Sequence, residues 1–263
     1  MPYRVDIALP PSGGADTLIE LGALDVEQGP AGLAALMPDA VAADAVAAAL
    51  APSTVRVSPA VGRDDGSVWT LVPRPVRVGV FTFIPAPGPA AGDAIRLIDS
   101  PAFGTGLHPT TALCLEAIAE LTAAGRPARM LDIGTGSGIL ALAALHLGVP
   151  QVTGVDVDAG ALEVAGENAA LNGVADRLTL LRGGPDVVEG LWPLVVANIR
   201  AGELMALAPA LTRRVASGGT LVLSGIPQSA AGEVEQSYRR LGMTTAVVTE
   251  RDGWVALALG PSW

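Results

Sequence analysis

Lysine is absent from this sequence, and all 16 basic residues are arginine. The chain therefore offers no lysine side chain of its own to any reaction. Cysteine occurs once, at Cys114, which excludes an internal disulfide and a metal site built from cysteines. Only His108 and His146 supply imidazole, so a histidine-rich metal site is not expected either. The sequence predicts a protein without a bound metal.

Long apolar runs are absent too. No run reaches the roughly 18 residues that a membrane-spanning helix needs. The first residues, MPYRVD, lack the charged start and the apolar stretch of a secretory signal. Nothing in the sequence resembles a coiled-coil seam. We therefore expect a cytoplasmic, monomeric protein that does not contact membranes.

Positive charge is scarce relative to negative charge, with 16 basic and 26 acidic residues and a net charge of −10. Direct binding to nucleic acid requires a basic face, so this balance argues against it. An acidic surface suits a basic protein partner, although it more often simply keeps a protein in solution.

The 263 residues are enough for one large domain or two modest domains. The patterning of residues 1–60 predicts a small ferredoxin-like α+β unit with the order β-α-β-β-α-β. Its strands are predicted at 3–9, 23–27, 32–37 and 54–58, and its helices at 14–21 and 40–50, the second helix capped by Asp39. This unit carries no chemical motif, so it either presents a surface to a substrate or only packs against its neighbour.

Residues 61–94 are predicted to connect this unit to the rest of the chain. Five prolines, at 73, 75, 85, 87 and 89, interrupt β-like stretches there. The aromatic residues Trp69, Phe81 and Phe83 are expected to form a local core rather than a binding platform.

Residues 95–263 alternate short apolar strands with helices, which predicts an α/β domain with a parallel, doubly wound sheet. Strands are predicted at 95–98, 129–133, 152–157, 178–181, 194–199, 219–224, 244–249 and 254–259, and helices at 110–122, 139–147, 160–171, 203–215 and 230–241. The last two strands are joined by Arg251-Asp-Gly253 and are expected to form an antiparallel hairpin at the edge of the sheet.

The stretch LDIGTGSGIL, residues 131–140, places three glycines at alternate positions between a predicted strand and a helix. Gly134, Gly136 and Gly138 can take positive φ and leave no Cβ in the way of a ligand. The N-terminus of the following helix is expected to direct unpaired N–H groups and the positive end of its dipole toward the same space. The pattern predicts a binding loop for a nucleotide-like ligand.

An acidic residue follows this loop at the spacing of an adenosine-binding βαβ unit. Asp156 ends the next predicted strand, 22 positions after Gly134, where it can hold ribose hydroxyls. The loop is Gly-x-Gly-x-Gly rather than the Gly-x-Gly-x-x-Gly that seats a dinucleotide pyrophosphate. Asp132, just ahead of the loop, would repel a pyrophosphate but can order the loop or meet a cationic ligand. The residues therefore favour S-adenosylmethionine, which has no phosphate and carries a sulfonium and an ammonium, over NAD.

A third segment is expected at the same edge, because ligands of open α/β sheets lie beyond the carboxyl ends of the strands. Asn198 ends an apolar strand there. Its amide can accept a hydrogen bond from an amine and donate one to a neighbour. The alternative is an asparagine that only forms a turn after the strand.

The fourth segment, residues 99–111, is polar, contains two close glycines and directly precedes a helix. Thr110 or Thr111 can cap that helix or donate a hydroxyl to a ligand. Phe103 can cover an adenine or a methionine chain. His108 is either a base or, more often in such a loop, a structural hydrogen-bonding residue.

Six stretches together carry the signature of a family. They are Phe103-Gly-Thr-Gly-Leu-His-Pro-Thr-Thr111, Leu131–Leu140, Gly154–Asp158, Glu167-Asn168 with Asn172-Gly173, Ala197–Ile199 and Leu223–Ile226. They resemble the ribosomal protein L-eleven methyltransferase family. The first stretch is the most selective, because the glycine loop is shared by many methyltransferases.

The resemblance implies a class I S-adenosylmethionine methyltransferase with a Rossmann-like sheet at residues 95–263, behind an N-terminal substrate-recognition domain. Such enzymes methylate lysine side chains and the N-terminal amine of a basic ribosomal protein. Thr111, Gly134, Asp156 and Asn198 match the family's cofactor-binding positions. The full set of candidate cofactor-binding residues is Thr111, Gly134, Gly136, Asp156, Asn198, Phe103 and Thr105, and the candidate catalytic residues are Asn198 and His108.

The expected reaction is direct methyl transfer to an uncharged amine, which Asn198 aligns with His108 as a helper. One alternative changes only the substrate, to the lysines of another protein such as an electron-transfer flavoprotein subunit. A second is an NAD-dependent oxidoreductase, against which the loop spacing and Asp132 count. A third is an adenosine-ligand-binding module without catalysis, against which the intact set of cofactor-binding residues counts.

Overall fold

The computed structural model describes residues 1–29, 32–60, 71, 75–86, 92–98, 100, 108–125 and 127–263. The chain divides into two compact units, residues 1–73 and residues 74–263. Within the described ranges, no helix is long and apolar enough to cross a membrane.

The smaller unit is a four-stranded antiparallel sheet with two helices. Its strands are β1 (Tyr3–Ile7), β2 (Asp25–Gly29), β3 (Gly32–Met37) and β4 (Arg56–Pro59), and its helices are α1 (Gly14–Glu20) and α2 (Ala43–Ala49). The strand order is β2-β3-β1-β4, and each neighbouring pair is antiparallel. The predicted ferredoxin-like arrangement is confirmed.

The core of the smaller unit lies on one face of this sheet. Successive strand side chains point to opposite faces, so every second residue of β1 and β3 is turned toward the helices. The buried cluster consists of Val5, Ile7, Leu18, Leu33, Ala35, Met37, Val46 and Leu50.

The start of α2 differs from the prediction. Asp39 is not its N-cap, because the helix begins at Ala43 with Ala42 in the capping position and no side-chain cap. The Asp39 carboxylate instead accepts a hydrogen bond from the Met1 ammonium at 3.0 Å. This charged hydrogen bond lowers the pKa of Asp39. An ammonium is a stronger donor to a carboxylate than a backbone N–H.

The larger unit contains the remaining elements. Its strands are β5 (Val76–Val78), β6 (Phe81–Pro85), β7 (Ile95–Leu97), β8 (Arg129–Ile133), β9 (Gln151–Asp156), β10 (Leu178–Arg182), β11 (Trp192–Asn198), β12 (Val215–Pro227), β13 (Met243–Arg251) and β14 (Trp254–Pro261). Its α-helices are α3 (Pro109–Gly125), α4 (Ile139–His146), α5 (Ala159–Leu171), α6 (Ala201–Thr212) and α7 (Ala231–Arg239).

Seven of these strands form one sheet in the order β10-β9-β8-β11-β12-β14-β13. The first five are parallel to one another, whereas β14 is antiparallel to both of its neighbours. The turn between β13 and β14 uses Asp252 and Gly253, both at positive φ, as a tight hairpin requires. The predicted doubly wound sheet with an antiparallel edge hairpin is confirmed.

Helices cover both faces of the sheet and produce two cores. Helices α3, α4 and α5 contribute to one core, and α6 and α7 to the other. The central strand β11 alternates between them, with Leu194 and Val196 in the first core and Val195 and Ala197 in the second. A strand buried on both faces reads as a continuous apolar run, which is why this segment predicts a parallel strand.

Residues 76–97 belong to the larger unit. Strand β5 pairs with β6 in an antiparallel arrangement, and β6 pairs with β7 in a parallel one. Phe81 and Phe83 lie 6.0 Å apart between ring centroids and are buried in the core beneath α3 and α4. The local aromatic core is confirmed for these two residues, while Trp69 lies outside the described residues. These strands bury apolar side chains within the larger unit, which begins at residue 74.

Candidate active site

The glycine loop closes onto the end of β9. The N–H groups of Gly134 and Thr135 both donate to the Val155 carbonyl, at 2.8 and 3.0 Å. Gly136 and Gly138 follow with φ of 55° and 80°, values that a residue with a Cβ rarely adopts. The Gly138 N–H donates back to the Thr135 carbonyl at 2.8 Å. The N–H groups of Gly134, Thr135 and Gly138 are therefore committed within the protein, and the expectation that the first N–H groups of α4 face a ligand stays a prediction.

Asp156 ends β9 where the sequence places it. Its Oδ2 accepts a hydrogen bond from the Gly136 N–H at 2.9 Å, and its Oδ1 accepts one from the Asp158 N–H at 3.0 Å. Asp158 in turn caps α5 by accepting from the Gly160 N–H at 2.9 Å. The Asp156 carboxylate is thus held rigidly at the carboxyl end of the sheet, and each carboxylate oxygen keeps further lone pairs for a ligand hydroxyl.

Asp132 lies beneath the loop and is fully buried. Its Oδ2 accepts a hydrogen bond from the Thr135 hydroxyl at 2.7 Å, whereas Oδ1 has no hydrogen-bond partner among the described residues. Burial raises the pKa of Asp132 to about 7, the Thr135 hydrogen bond opposes this, and the charge of Asp156 adds to it. Asp132 therefore orders the loop, one of the two roles predicted for it.

The single cysteine lies close behind this carboxyl group. Cys114 is fully buried in α3, and its thiol contacts the Ser224 hydroxyl. Burial is the main cause that raises the pKa of the Cys114 thiol, and the nearby charge of Asp132 raises it further. A thiol in this environment stays protonated and is a packing residue rather than a nucleophile.

The end of β11 is held between two glycines. A Cβ at Gly134 would collide with the Ile199 side chain, and a Cβ at Gly225 would collide with the Ile199 backbone carbonyl. Both glycines have positive φ, 73° and 83°. The residue before Ile199 is Asn198, so this close packing fixes the backbone from which the candidate catalytic amide projects.

Asn198 reaches the start of α3. Its Nδ2 donates to the Thr111 hydroxyl at 3.5 Å, a long hydrogen bond. Thr111 is fully buried in the first turn of α3. This contact joins two candidate cofactor-binding residues that are 87 positions apart in the sequence.

His108 directly precedes α3 and is almost completely buried. Its carbonyl accepts from the N–H groups of Thr111 and Ala112, at 3.1 and 3.2 Å. Its ring Nδ1 accepts from the Thr110 N–H at 3.3 Å and lies 2.7 Å from the Thr110 hydroxyl oxygen. The Trp254 ring meets the imidazole edge-on, with centroids 5.0 Å apart. This geometry favours the structural alternative for His108, and its role as a catalytic helper stays a prediction.

The structure thus brings six of the eight candidate residues into one connected group. Asp156 contacts the glycine loop at Gly136, the loop packs on the segment of Asn198 through Gly134, and Asn198 contacts Thr111 next to His108. Phe103 and Thr105 lie outside the described residues, so their assignment stays a prediction.

Asn168 on α5 contacts the site in a way that the sequence did not reveal, and Asn172, directly after α5, contacts only the strand beside it. Asn168 donates from Nδ2 to the Ser137 carbonyl of the glycine loop at 2.9 Å and accepts at Oδ1 from the Ile98 N–H at 2.8 Å. Asn172, one turn later, exchanges hydrogen bonds with the backbone of Arg96. Two amides four residues apart on an alanine-rich helix are the signal that was available, because buried polar side chains need partners.

Comparison with known proteins identifies the same family. The family model described as Ribosomal protein L11 methyltransferase (PrmA) matches residues 43–260. A Ribosomal protein L11 methyltransferase of Geobacter sulfurreducens is 46% identical over 175 residues, which is 66% of this chain and 56% of that protein. One of Geobacter metallireducens is 40% identical over 212 residues, 79% of this chain and 69% of that protein. The crystal structure of ribosomal protein L11 methylase from Lactobacillus delbrueckii subsp. bulgaricus matches with a TM-score of 0.65 and 31% identity, over 72% of this chain and 100% of that chain.

The chain spans little more than half the length of the Geobacter sulfurreducens relative. The match nevertheless includes the glycine loop, Asp156 and Asn198, since the family model extends over residues 43–260. The resemblance inferred from the sequence motifs is confirmed, and the chain belongs to the ribosomal protein L11 methyltransferase family.

Proposed function

We propose that this protein transfers a methyl group from S-adenosylmethionine to amines of ribosomal protein L11. The observation that carries the proposal is the connected group formed by Asp156, the glycine loop, Asn198 and Thr111 at the carboxyl edge of the sheet. The relatives named for this activity share 40% and 46% of their residues with the chain over the matched regions.

The residues fit S-adenosylmethionine better than a dinucleotide. The N–H groups of Gly134, Thr135 and Gly136 donate to protein oxygens, so these N–H groups are not available to bind a pyrophosphate. The Asp156 carboxylate can accept hydrogen bonds from ribose hydroxyls. Beneath the loop lies the buried carboxyl group of Asp132, which when ionised favours a cationic ligand over an anionic one. These features count against the NAD-dependent alternative.

The proposed mechanism relies on alignment. S-adenosylmethionine, when bound, supplies a methyl group already activated by its sulfonium. The amine must arrive uncharged, and neutralising a lysine of pKa ~10.4 at pH 7 costs about 4–5 kcal/mol unless the site lowers that pKa. Asn198 donates from Nδ2 to Thr111, so its amide oxygen is the atom that would accept an N–H of the incoming amine and direct the nitrogen lone pair. The protein needs no nucleophile of its own, in keeping with the inert, buried Cys114.

The proposed substrate is a basic protein, and the smaller unit supports this. Residues 1–73 contain nine acidic and three basic residues, so much of the negative charge of the chain is concentrated there. Opposite charges steer two proteins together and favour a basic partner. We propose that this unit recognises the substrate. Cytoplasmic location and a monomeric state stay predictions.

The test uses S-adenosylmethionine with a radiolabelled methyl group and purified large-subunit ribosomal proteins. Label is expected on lysines or on the N-terminal amine of L11, located by mass spectrometry. The Asn198→Ala variant should bind the cofactor product S-adenosylhomocysteine and transfer label more slowly, by about 100-fold if the amide orients the amine. Equal turnover of the two proteins would remove that role from Asn198.

The substrate alternative is tested in the same assay. An electron-transfer flavoprotein subunit is added as a competing substrate at equal concentration, and label on it alone would replace L11 as the substrate. A wild-type protein that binds no S-adenosylhomocysteine would refute the proposed cofactor.

A further inference from the structure

Asn168, on α5, forms side-chain hydrogen bonds to two separate segments of the chain. Its side chain is completely buried, and both ends of its amide are used. Nδ2 donates to the Ser137 carbonyl between Gly136 and Gly138, at 2.9 Å, and Oδ1 accepts from the Ile98 N–H directly after β7, at 2.8 Å. One buried amide therefore joins the glycine loop to the strand that precedes the polar segment at residues 99–111.

We propose that Asn168 is a positioning residue for the cofactor loop, and that its amide sets the spacing between that loop and the end of β7. This inference rests on the proposed function, because the effect on ligand affinity assumes that the loop holds S-adenosylmethionine. Asn168 itself need not touch the ligand. It acts through the Ser137 carbonyl, which lies at the centre of the three-glycine turn.

The physical reason is the flexibility of the loop. Gly134, Gly136 and Gly138 have many backbone conformations available, so the observed one must be held by contacts. Val155 and Asp156 hold the first half of the loop from β9. Asn168, on α5, holds Ser137 in the second half of the loop. A small shift of a binding loop away from its productive position is enough to reduce affinity.

Asn172, the residue that follows α5, provides the matched control. Its Oδ1 accepts from the Arg96 N–H at 2.8 Å, and its Nδ2 donates to the Arg96 and Asn168 carbonyls, both at 2.7 Å. It therefore secures β7, and none of its hydrogen bonds reaches the glycine loop. A purely structural role, that of attaching β7 to α5, is common to both asparagines, whereas the loop contact belongs to Asn168.

The experiment compares Asn168→Asp with Asn172→Asp in the full-length chain. Each change keeps the shape of the side chain and removes its N–H donors. In Asn168→Asp a carboxylate faces the Ser137 carbonyl, and the loop is expected to loosen. Hydrogen exchange measured by mass spectrometry without ligand should then become faster at residues 134–142 in Asn168→Asp only. Asn172→Asp loses its donation to the Arg96 carbonyl and should instead exchange faster at residues 95–98. Asn168→Asp keeps the oxygen that accepts from the Ile98 N–H and should change little there.

Ligand binding gives the second readout. S-adenosylhomocysteine, titrated by calorimetry, should bind Asn168→Asp about 10- to 100-fold more weakly than wild type, as expected for loss of a buried hydrogen bond. Asn172→Asp should bind close to wild type. Lowering the pH protonates the new carboxyl group, which can then donate to Ser137, so the affinity of Asn168→Asp should recover toward pH 5. In turnover, the KM for S-adenosylmethionine should rise more than kcat falls.

Unchanged exchange at residues 134–142 in Asn168→Asp, or equal changes in both variants, would overturn the proposal. If Asn168→Asp does not fold, the smaller and neutral Asn168→Ser makes the same comparison. Absence of S-adenosylhomocysteine binding by wild type would refute the proposed function instead, and the ligand-free exchange data would still decide the role of Asn168.

Discussion

Replacing the buried Asp132 with asparagine should change how the stability of the protein depends on pH. In the folded protein the pKa of Asp132 is about 7, because the carboxyl group is completely buried. In the unfolded chain it returns to about 3.9. Between these two values the native state keeps a proton that the unfolded state releases, so the free energy of unfolding falls as the pH rises. Asparagine cannot ionise, so the free energy of unfolding of Asp132→Asn lacks this pH-dependent contribution.

The magnitude follows from the shift of about three pKa units. At about 1.4 kcal/mol per unit, ionisation of Asp132 removes about 4 kcal/mol of stability in total. The loss begins above the unfolded pKa and is complete once the pH exceeds about 7. Between pH 5 and pH 8, wild type should lose about 3 kcal/mol relative to Asp132→Asn. Other titrating groups are present in both proteins and cancel in the difference.

Urea unfolding at pH 5, 6, 7 and 8, followed by circular dichroism, measures this difference. Thr135→Val is the companion variant, because the Thr135 hydroxyl lowers the pKa of Asp132. Its removal should extend the pH-dependent loss to higher pH. If the stability difference between wild type and Asp132→Asn is the same at every pH, the Asp132 carboxyl group does not titrate as its burial requires and the reasoning is refuted.

Three further variants test other contacts. Gly225→Ala should lower the free energy of unfolding in urea by about 2 kcal/mol or more, because the new Cβ would collide with the Ile199 backbone. Gly218→Ala is the control, since Gly218 also has positive φ but has open space around it, and it should cost only about 1 kcal/mol. Equal costs for the two variants would contradict the tight packing at Gly225. Tyr238→Phe removes a buried hydroxyl that donates to a carbonyl at 2.8 Å and should cost about 1–2 kcal/mol in the same assay, with methyl transfer unchanged as its control. Thr111→Val removes the hydroxyl that Asn198 contacts and should lower kcat/KM about tenfold in the labelling assay, and an unchanged kcat/KM would show that the contact is dispensable.

The arrangement of the sheet could be predicted because its signals are local. Strand β8 is observed at Arg129–Ile133, the range predicted from its apolar run. The spacing between Gly134 and Asp156 in the sequence reflects the length of one loop, one helix and one strand. Asp156 therefore lies beside the glycine loop, as expected, and accepts a hydrogen bond from the Gly136 N–H. Patterns of this kind need no knowledge of distant residues.

The contacts that hold the loop could not be predicted, because they join distant positions. Asn168 accepts a hydrogen bond from the N–H of Ile98, 70 residues away in the sequence. Neither local sequence indicates the other residue as a partner. Asp39 has the right residue type for a cap, but α2 begins only at Ala43, and the Asp39 carboxylate contacts the Met1 ammonium 38 residues away instead. The glycine pattern predicted a turn, while the partners of its N–H groups depended on the course of β9.

The two glycines around Ile199 also restrict how the central strands can align. Parallel strands that are apolar on both faces can slip by two residues without exposing their side chains. In the observed register Ala197 pairs with Ile133 and Asn198 with Ser224, which leaves Ile199 beside Gly134 and Gly225. A two-residue slip against β12 would bring Leu223 or Pro227, each with a Cβ, to the place of Gly225 beside Ile199, where a Cβ collides. The two glycines therefore favour the strand alignment that places Asn198 at the edge where Thr111 and Asp156 lie.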